Sequence, residues 1–120
     1  MITIYGIRNC DTVKKSLFWF DEQGITYRFH DFKKESLDPA LLSDWLAQTG
    51  WQALVNCKGS TWRKLGLTPE VMESSAHSVI MDNLSLIRRP LVSCAGVIAT
   101  GFEPQKWTDM CRRLEDTDQA

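Results

Sequence analysis

The hydrophobic period changes twice within the first thirty residues, and the order of these changes restricts the fold. Residues 2–5 alternate between β-branched and aromatic types and predict a short buried strand. Residues 11–22 then place apolar side chains at the spacing of one helix face: Val13, Leu17 and Phe20. Gly24 ends this helix, and residues 25–30 return to strand alternation. A β-α-β order of this kind favours two parallel strands joined by a right-handed crossover.

Residues 38–85 carry the sequence pattern of helices. Asp38-Pro39 and Thr68-Pro69 each place a capping side chain directly before a proline, as is common where a helix starts. The buried face of the first of these helices is predicted to consist of Leu41, Leu42, Trp45 and Leu46. We expect a further helix over about residues 75–84.

Strand and helix patterns return in the last third of the chain. Two apolar runs, residues 91–94 and 97–100, are joined by Ala95-Gly96 and predict a β-hairpin. The closing helix carries one apolar stripe: Trp107, Met110, Cys111 and Leu114. We therefore predict an α/β fold with a four-stranded mixed sheet, in which a helical insertion at about 38–85 separates a β-α-β half from a β-β-α half. Residues 1–114 would form this single domain, and residues 115–120 a flexible tail.

Length, charge and hydropathy exclude several classes of protein. With 120 residues, 43% of them hydrophobic, the chain is long enough to bury a core without a metal or a disulfide. A net charge of -1 gives no general attraction to nucleic acid or to an anionic membrane. No apolar run approaches the roughly 18 residues of a membrane span, and the N-terminus lacks the pattern of a secretory signal. We expect a cytoplasmic protein that binds neither membrane nor nucleic acid.

Four cysteines are spread along the chain without a C-x-x-C pair or zinc-site spacing: Cys10, Cys57, Cys94 and Cys111. In a cytoplasmic chain we expect them to be reduced thiols. Cys94 in an apolar strand and Cys111 on the stripe of the last helix are interpreted as core residues, and Cys57 as a loop thiol. His30 and His77 have no third ligand near them in sequence, so no metal site is predicted.

Cys10 stands between the end of the first strand and the start of the first helix. Unpaired backbone N–H groups and the positive end of the helix dipole favour the thiolate form of a cysteine there. The basic neighbours Arg8, Lys14 and Lys15 add to this effect, and Asp11 opposes it. The same helix end is suited to bind an anion, so one position supplies a nucleophile and an oxyanion cradle. The alternative is a small buried residue that happens to fall at a helix start.

Two arginines are further candidates. Arg88-Arg89-Pro90 comes directly before a strand, where thioredoxin-like folds place a cis-proline, and Arg89 would then present a bidentate guanidinium to an oxyanion or carboxylate. A solvated basic turn after a helix end explains the same residues. Arg63 lies in a polar turn that enters a helix and would not be selected on its own pattern.

With these positions in place, the chain resembles the arsenate reductase (ArsC) and Spx family, most closely its YffB-type members. The matching segments occur in family order: Ile4-Tyr5-Gly6-Ile7-Arg8-Asn9-Cys10-Asp11-Thr12-Val13-Lys14-Lys15, Phe29-His30-Asp31-Phe32, Gly50-Trp51, Ser60-Thr61-Trp62-Arg63-Lys64-Leu65, Leu86-Ile87-Arg88-Arg89-Pro90-Leu91 and Gly101-Phe102. The resemblance implies a thioredoxin-like fold with a helical insertion, and it covers nearly all of residues 1–113.

The resemblance also implies roles for individual residues. Cys10 would be the nucleophile, Arg63 and Arg89 would bind the oxyanion or the glutathione that meets it, and Pro90 would be the cis-proline. The neighbours of Cys10 would line the same anion or glutathione site: Asn9, Asp11 and Thr12. No cofactor would be bound, and glutathione would be the co-substrate, with glutaredoxin as a further partner.

Two departures from the family pattern separate three functions. Residues 99–103 hold no arginine where arsenate reductases carry a third one, which speaks against arsenate as the substrate. Cys10 is followed by Asp11, Thr12 and Val13, so the C-x-x-C redox switch of Spx regulators is absent. We therefore predict a single-cysteine, glutathione-dependent thiol reductase. The alternatives are an Spx-like adaptor for the α subunit of RNA polymerase and an arsenate reductase proper.

Overall fold

The chain divides into two compact units, one of them inserted in the other along the sequence. A computed structural model describes residues 2–119, with side chains described for residues 2–113. The first unit comprises Met1–Lys34 and Arg89–Ala120, and the second comprises Glu35–Arg88. The second unit is the helical insertion, and it extends three residues beyond the predicted range of 38–85 at each end.

Four strands of the first unit form one mixed sheet. The strands are β1 (Ile2–Gly6), β2 (Tyr27–Asp31), β3 (Leu91–Cys94) and β4 (Val97–Thr100), in the spatial order β2-β1-β3-β4. β1 and β2 are parallel, with Ile4 opposite Phe29, whereas β1–β3 and β3–β4 are antiparallel. The predicted four-stranded mixed sheet is confirmed. The hairpin turn falls at Ala95 and Gly96, both of which have positive φ, as a two-residue type I′ turn requires.

Two helices of the first unit supply the other half of its core. These are α1 (Asp11–Glu22) and α6 (Pro104–Gln119). The core cluster joins strand and helix residues: Ile2, Ile4, Phe20, Val92, Cys94, Ala99, Trp107 and Met110. Trp107 is fully buried and contacts Phe20 with ring centroids 5.0 Å apart. Each fully buried side chain of this kind contributes about 1.5–3 kcal/mol to folding.

Two boundaries in the first unit differ from the sequence prediction. β2 begins at Tyr27 rather than at residue 25, because the Ile25 amide donates to the Phe20 carbonyl of α1 and Gly24 turns the chain with φ +69°. α6 is helical to Gln119, whereas a tail was expected from residue 115, because no proline or glycine interrupts residues 105–119. Ala120 lies outside the described residues.

The second unit consists of short helices. They are α2 (Pro39–Thr49), α3 (Trp51–Leu54), α4 (Ser60–Leu65) and α5 (Pro69–Asp82), followed by a 3₁₀ turn at Leu84–Leu86. Both predicted starts are confirmed, since the Asp38 carboxylate accepts from the Ala40 amide and the Thr68 hydroxyl accepts from the Val71 amide. Four residues between α2 and α4 form α3, a helix too short for its period to show in the sequence.

The helix predicted over 75–84 is the second half of α5. Ser75 has non-helical angles, φ -139° and ψ 21°, so α5 bends where a second helix was expected to begin. Its buried side chains are Met72 and Ile80, one on each side of the bend. The helix ends at Asp82, two residues before the predicted end, and the 3₁₀ turn follows.

Candidate active site

Cys10 is the N-cap residue of α1. Its backbone is extended, with φ -137° and ψ 123°, and its carbonyl accepts the first helical hydrogen bond from the Lys14 amide at 3.0 Å. The side chain is half-buried and makes no capping hydrogen bond among the described residues. Helix geometry leaves the amides before Lys14 without an intrahelical acceptor. The Cys10 thiol therefore lies at an end of α1 where backbone donors and the helix dipole favour an anion.

A close approach of β1 to α1 fixes where this helix end lies. A Cβ atom added at Gly6 would come within 2.9 Å of Val13 Cγ2, so only glycine fits at the end of β1. Val13 is fully buried in the first turn of α1. Since Gly6 and Val13 bracket Cys10 in sequence, their contact holds the loop that carries Cys10 at the carboxyl end of β1.

Arg89 and Pro90 come to the same end of the sheet from β3. Tyr5, the penultimate residue of β1, pairs with Leu91, the first residue of β3, so Pro90 lies beside the end of β1. The Arg89–Pro90 peptide bond is cis, the isomer that the resemblance implied. Pro90 is buried and its carbonyl accepts from the Gly101 amide at 2.9 Å. The topology of the first unit therefore brings Cys10 and Arg89 to the same end of the sheet.

The structure distinguishes the two arginines of the Arg-Arg-Pro segment. Arg88 donates through its amide to the Leu54 carbonyl at 2.9 Å and through Nε to the Val55 carbonyl at 3.3 Å. Arg88 therefore hydrogen-bonds to the backbone of the second unit, to which it belongs. The Arg89 side chain is half-buried and has no hydrogen-bond or ion-pair partner among the side chains that the structure describes. Among the described side chains, Arg89 is thus the member of the pair whose guanidinium makes no hydrogen bond or ion pair.

The residues next to Cys10 are solvent-exposed. Asn9, Asp11 and Thr12 are all exposed, and the Thr12 carbonyl accepts from the Ser16 hydroxyl at 2.6 Å within α1. Their predicted part in binding an anion or glutathione stays a prediction. Their exposure and their place at the start of α1 are compatible with it.

Two further cations are held on aromatic rings near the start of α1. The Arg8 guanidinium lies 4.8 Å from the centroid of Phe29 in β2, and Lys15 Nζ lies 4.7 Å from the centroid of Phe102, which follows β4. Sequence reasoning identified both cations as neighbours of Cys10 but missed the rings. No sequence signal pairs them, because each ring is far along the chain from its cation.

Arg63 belongs to the second unit. It lies in the last turn of α4, and its side chain is exposed. Like Arg89, it has no hydrogen-bond or ion-pair partner among the described side chains. Its predicted part in binding the anion at Cys10 stays a prediction.

The other cysteines occupy different environments. All four cysteines fall within the described residues and are free thiols. Cys94 is buried in the core of the first unit, as predicted, and burial raises the pKa of its thiol. Cys111 is half-buried against that core, and Cys57 is half-buried in the turn before α4. Burial therefore disfavours the reactive thiolate at Cys94.

Neither a membrane-spanning helix nor a metal-binding cluster occurs in the described part of the chain. Within residues 2–119, no helix is long and apolar enough to cross a membrane. Among residues 2–113, whose side chains are described, no three His, Cys, Asp or Glu side chains are grouped as a metal ion would require. His77 contacts the Pro39 carbonyl through Nε2 at 2.9 Å, an arrangement within the helical unit.

Comparison with known proteins identifies relatives with similar sequences. A protein of Haemophilus influenzae with no characterised function is 38% identical over 109 residues, which span 89% of this chain and 96% of that protein. The global transcriptional regulator Spx of Staphylococcus saprophyticus is 25% identical over 95 residues, 77% of this chain and 72% of the regulator.

Solved structures of similar proteins share the fold of this chain. A YFFB protein superposes with a TM-score of 0.81 at 34% identity, covering 92% of this chain and 98% of that one. An arsenate reductase (ArsC) related protein of Brucella melitensis superposes with a TM-score of 0.71 at 39% identity, covering 88% and 90%. The mixed sheet, the inserted helical unit and the cysteine at the start of α1 define a thioredoxin-like protein. The ArsC family model matches residues 5–110, and the chain belongs to the ArsC family.

Proposed function

We propose that this protein is a single-cysteine thiol reductase that uses Cys10 as its nucleophile and glutathione as its co-substrate. The observation that carries the proposal is the position of Cys10 as the N-cap of α1, with a side chain that caps no amide among the described residues. A thiolate in this position is stabilised by the backbone N–H groups and dipole of α1. The same donors would bind negative charge that develops on a substrate.

Arg89 supports the anionic part of the proposal. Arg89 directly precedes Pro90 at the end of the sheet where β1 leads to Cys10, and no described side chain pairs with its guanidinium. A guanidinium binds a carboxylate through two parallel hydrogen bonds, and glutathione carries two carboxylates. We assign Arg89 to a glutathione carboxylate or to the oxyanion of a substrate. The proposal gives Arg63 the same task, with Asn9, Asp11 and Thr12 lining the site.

The reaction is two successive thiol–disulfide exchanges. The Cys10 thiolate attacks the glutathione sulfur of a mixed disulfide, forms Cys10–S–S–glutathione and releases the substrate as a thiolate. A second glutathione thiolate then attacks the glutathione sulfur of this adduct, giving oxidised glutathione and restoring the Cys10 thiolate. The mixed disulfide is thereby reduced to a thiol, and the one free glutathione consumed is oxidised together with the glutathione released from the substrate to give one oxidised glutathione. A glutaredoxin would serve as an alternative reductant, and the reducing pool this chemistry needs is that of the cytoplasm.

Reduction of a glutathionylated peptide by glutathione tests the proposal. We expect C10S to lose at least about 100-fold of the wild-type rate, because no other described cysteine lies at a helix start. C57S serves as the matched control and should keep its rate, and mass spectrometry should find the glutathione adduct on Cys10. Turnover by C10S at the wild-type rate, or an adduct on Cys57 alone, would remove the proposed mechanism.

A second function is favoured by the similarity to the transcriptional regulator Spx. On this view the chain is an adaptor that binds the α subunit of RNA polymerase, and Cys10 is not needed. A pull-down with purified polymerase, which measures whether the protein is retained, distinguishes the two functions. Retention of both wild type and C10S, together with absence of thiol transfer, would favour the adaptor, whereas no retention would leave the reductase.

A further inference from the structure

We propose that Thr61 and Trp62 are positioning residues for Arg63, because they attach the short helix α4 to two anchored parts of the helical unit. This inference rests on the proposed role of Arg63 in binding an anionic substrate. It adds the residues that hold the backbone from which the Arg63 side chain extends and so influence affinity for that substrate.

The helix that carries Arg63 is not held by burial. α4 has six residues, and none of them is buried. Four of its side chains are exposed, namely those of Ser60, Arg63, Lys64 and Leu65. An isolated helix of this length is unstable in water. The position of α4 must therefore depend on specific contacts of its two half-buried residues, Thr61 and Trp62.

Trp62 attaches α4 to α3. The rings of Trp62 and Trp51 are stacked nearly parallel, with centroids 6.0 Å apart and an interplanar angle of 8°. Stacked aromatic pairs of this kind contribute about 0.5–1.5 kcal/mol beyond the area that they bury. Trp51 is itself fixed, since its indole Nε1 donates to Glu73 Oε1 at 3.1 Å. The end of α3 reinforces the anchor, because its last residue, Leu54, and the following Val55 are fully buried.

Thr61 attaches α4 to the 3₁₀ turn. The hydroxyls of Thr61 and Ser85 are 3.0 Å apart and form a hydrogen bond. Ser85 is followed by the buried residues Leu86 and Ile87, and the Leu86 carbonyl accepts from the Asn56 amide at 2.8 Å. The 3₁₀ turn is therefore as firmly placed as α3.

These two attachments fix the rotation of α4 about its axis. Thr61 and Trp62 are adjacent in sequence, point to different neighbours and directly precede Arg63. One contact alone would allow α4 to rotate about its axis, whereas two contacts in different directions prevent this rotation. The end of α4 is fixed as well, because the Gly66 amide donates to the Arg63 carbonyl and the Leu67 amide to the Trp62 carbonyl. The Arg63 side chain therefore extends from a backbone that is held by two side-chain contacts and by the hydrogen bonds at the end of α4.

The test compares variants of α4 in the thiol-transfer assay. T61V keeps the shape of threonine without the hydroxyl, and W62L removes the stack. We expect each to raise the KM for the glutathionylated peptide about three- to tenfold with little change in kcat, because affinity rather than chemistry is lost. T61S and W62F restore the hydroxyl or the ring and should recover the wild-type KM. K64A, on the same exposed helix, is the matched control and should leave KM unchanged.

Coupling to R63A separates positioning from simple destabilisation. In the R63A background, T61V and W62L should add no further increase in KM, because the group that they orient is gone. The KM of wild type should rise with ionic strength, and T61V and W62L should show the weaker salt dependence of R63A. Thermal denaturation of each variant identifies any that fails to fold.

The outcomes distinguish the inference from the function on which it rests. If R63A raises KM while T61V and W62L behave as wild type, the positioning role is wrong and the role of Arg63 stands. If R63A has the wild-type KM, both the role of Arg63 and the inference fail, and the C10S result alone decides whether the protein is a thiol reductase. Additive effects of W62L and R63A would assign Trp62 to another task and would also overturn the inference.

Discussion

Lys15 and Phe102 form a cation–π pair that joins α1 to the segment after β4, with Lys15 Nζ 4.7 Å from the ring centroid. Phe102 is fixed by an edge-on contact to Trp107, with ring centroids 5.3 Å apart. The residue before it, Gly101, donates its amide to the Pro90 carbonyl. The ring below the Lys15 ammonium is therefore tied both to the core and to the cis-proline. The pair fastens the helix that begins at Cys10 to the opposite half of the sheet.

Removal of the Lys15 ammonium should cost stability. We expect K15A to lower the free energy of unfolding by about 0.5–1 kcal/mol, the usual range for an exposed cation–π contact. K14A is the control, because Lys14 is an equally exposed neighbour in α1 with no such ring contact described. Urea denaturation measures both variants. Equal losses for K14A and K15A would mean that helix propensity or general charge explains the effect.

The same segment predicts poor reduction of arsenate. Residues 99–103 contain no arginine. The cation that contacts this segment is Lys15 of α1, whose ammonium lies over the Phe102 ring. A lysine ammonium is a point charge and lacks the fork of a guanidinium that fits a tetrahedral oxyanion. In a coupled assay with glutathione and glutaredoxin, we expect arsenate turnover to be at least about 100-fold slower than turnover of a glutathionylated peptide. Comparable rates would show that a third arginine is not needed.

Local sequence signals were sufficient for most of the fold. The N-caps Asp38 and Thr68, the hairpin at Ala95-Gly96 and the stripe of α1 depend on residues a few positions apart, which sequence patterns record. The expected helix start at about residue 75 coincides with the bend at Ser75, but no local pattern indicated that both halves belong to one bent helix. The start of β2 and the length of α6 were missed by a few residues, because strand alternation and an apolar stripe do not record where an element's backbone hydrogen bonds begin and end.

The candidate site shows the same division. Cys10 was predictable because a strand end, a short loop and a helix start adjoin in sequence. Arg89 was selected from its place directly before Pro90, whereas the contacts that hold Arg88 on Leu54 and Val55 leave no signal in the sequence. The Trp51–Trp62 stack joins two helices that are both too short to show a period. Such contacts are visible only in the folded chain.

Alkylation should separate the cysteines by environment. We expect iodoacetamide to modify Cys10 first and Cys94 at least about tenfold more slowly, because burial keeps the Cys94 thiol protonated and inaccessible. Digestion and mass spectrometry after short exposures give the rate at each site. Modification of Cys94 ahead of Cys10 in the folded protein would contradict the assignment of Cys10 as the reactive thiol.

Burial of Cys94 also predicts a loss of stability in alkaline solution. The folded state raises the pKa of this thiol, so above the ordinary cysteine range, about 8.5, the unfolded chain binds fewer protons than the folded chain. The free energy of unfolding should therefore fall as the pH rises through this range, by up to about 1.4 kcal/mol per pH unit for this group. C94A should show a shallower fall between pH 8 and 10 in urea denaturation under reducing conditions. An identical slope in C94A would place the effect on another group.

The two N-caps of the helical unit should differ in strength. The Asp38 carboxylate accepts from the Ala40 amide at 2.9 Å, whereas the Thr68 hydroxyl accepts from the Val71 amide at 3.4 Å. A charged acceptor at the shorter distance makes the stronger bond and also interacts with the helix dipole. We expect D38A to lower the free energy of unfolding by about 1–2 kcal/mol and T68A by about 0.5–1 kcal/mol. D38N and T68S keep a side-chain acceptor and should recover most of each loss. A larger loss for T68A than for D38A would show that bond length and charge do not set the order, and that packing around each proline does.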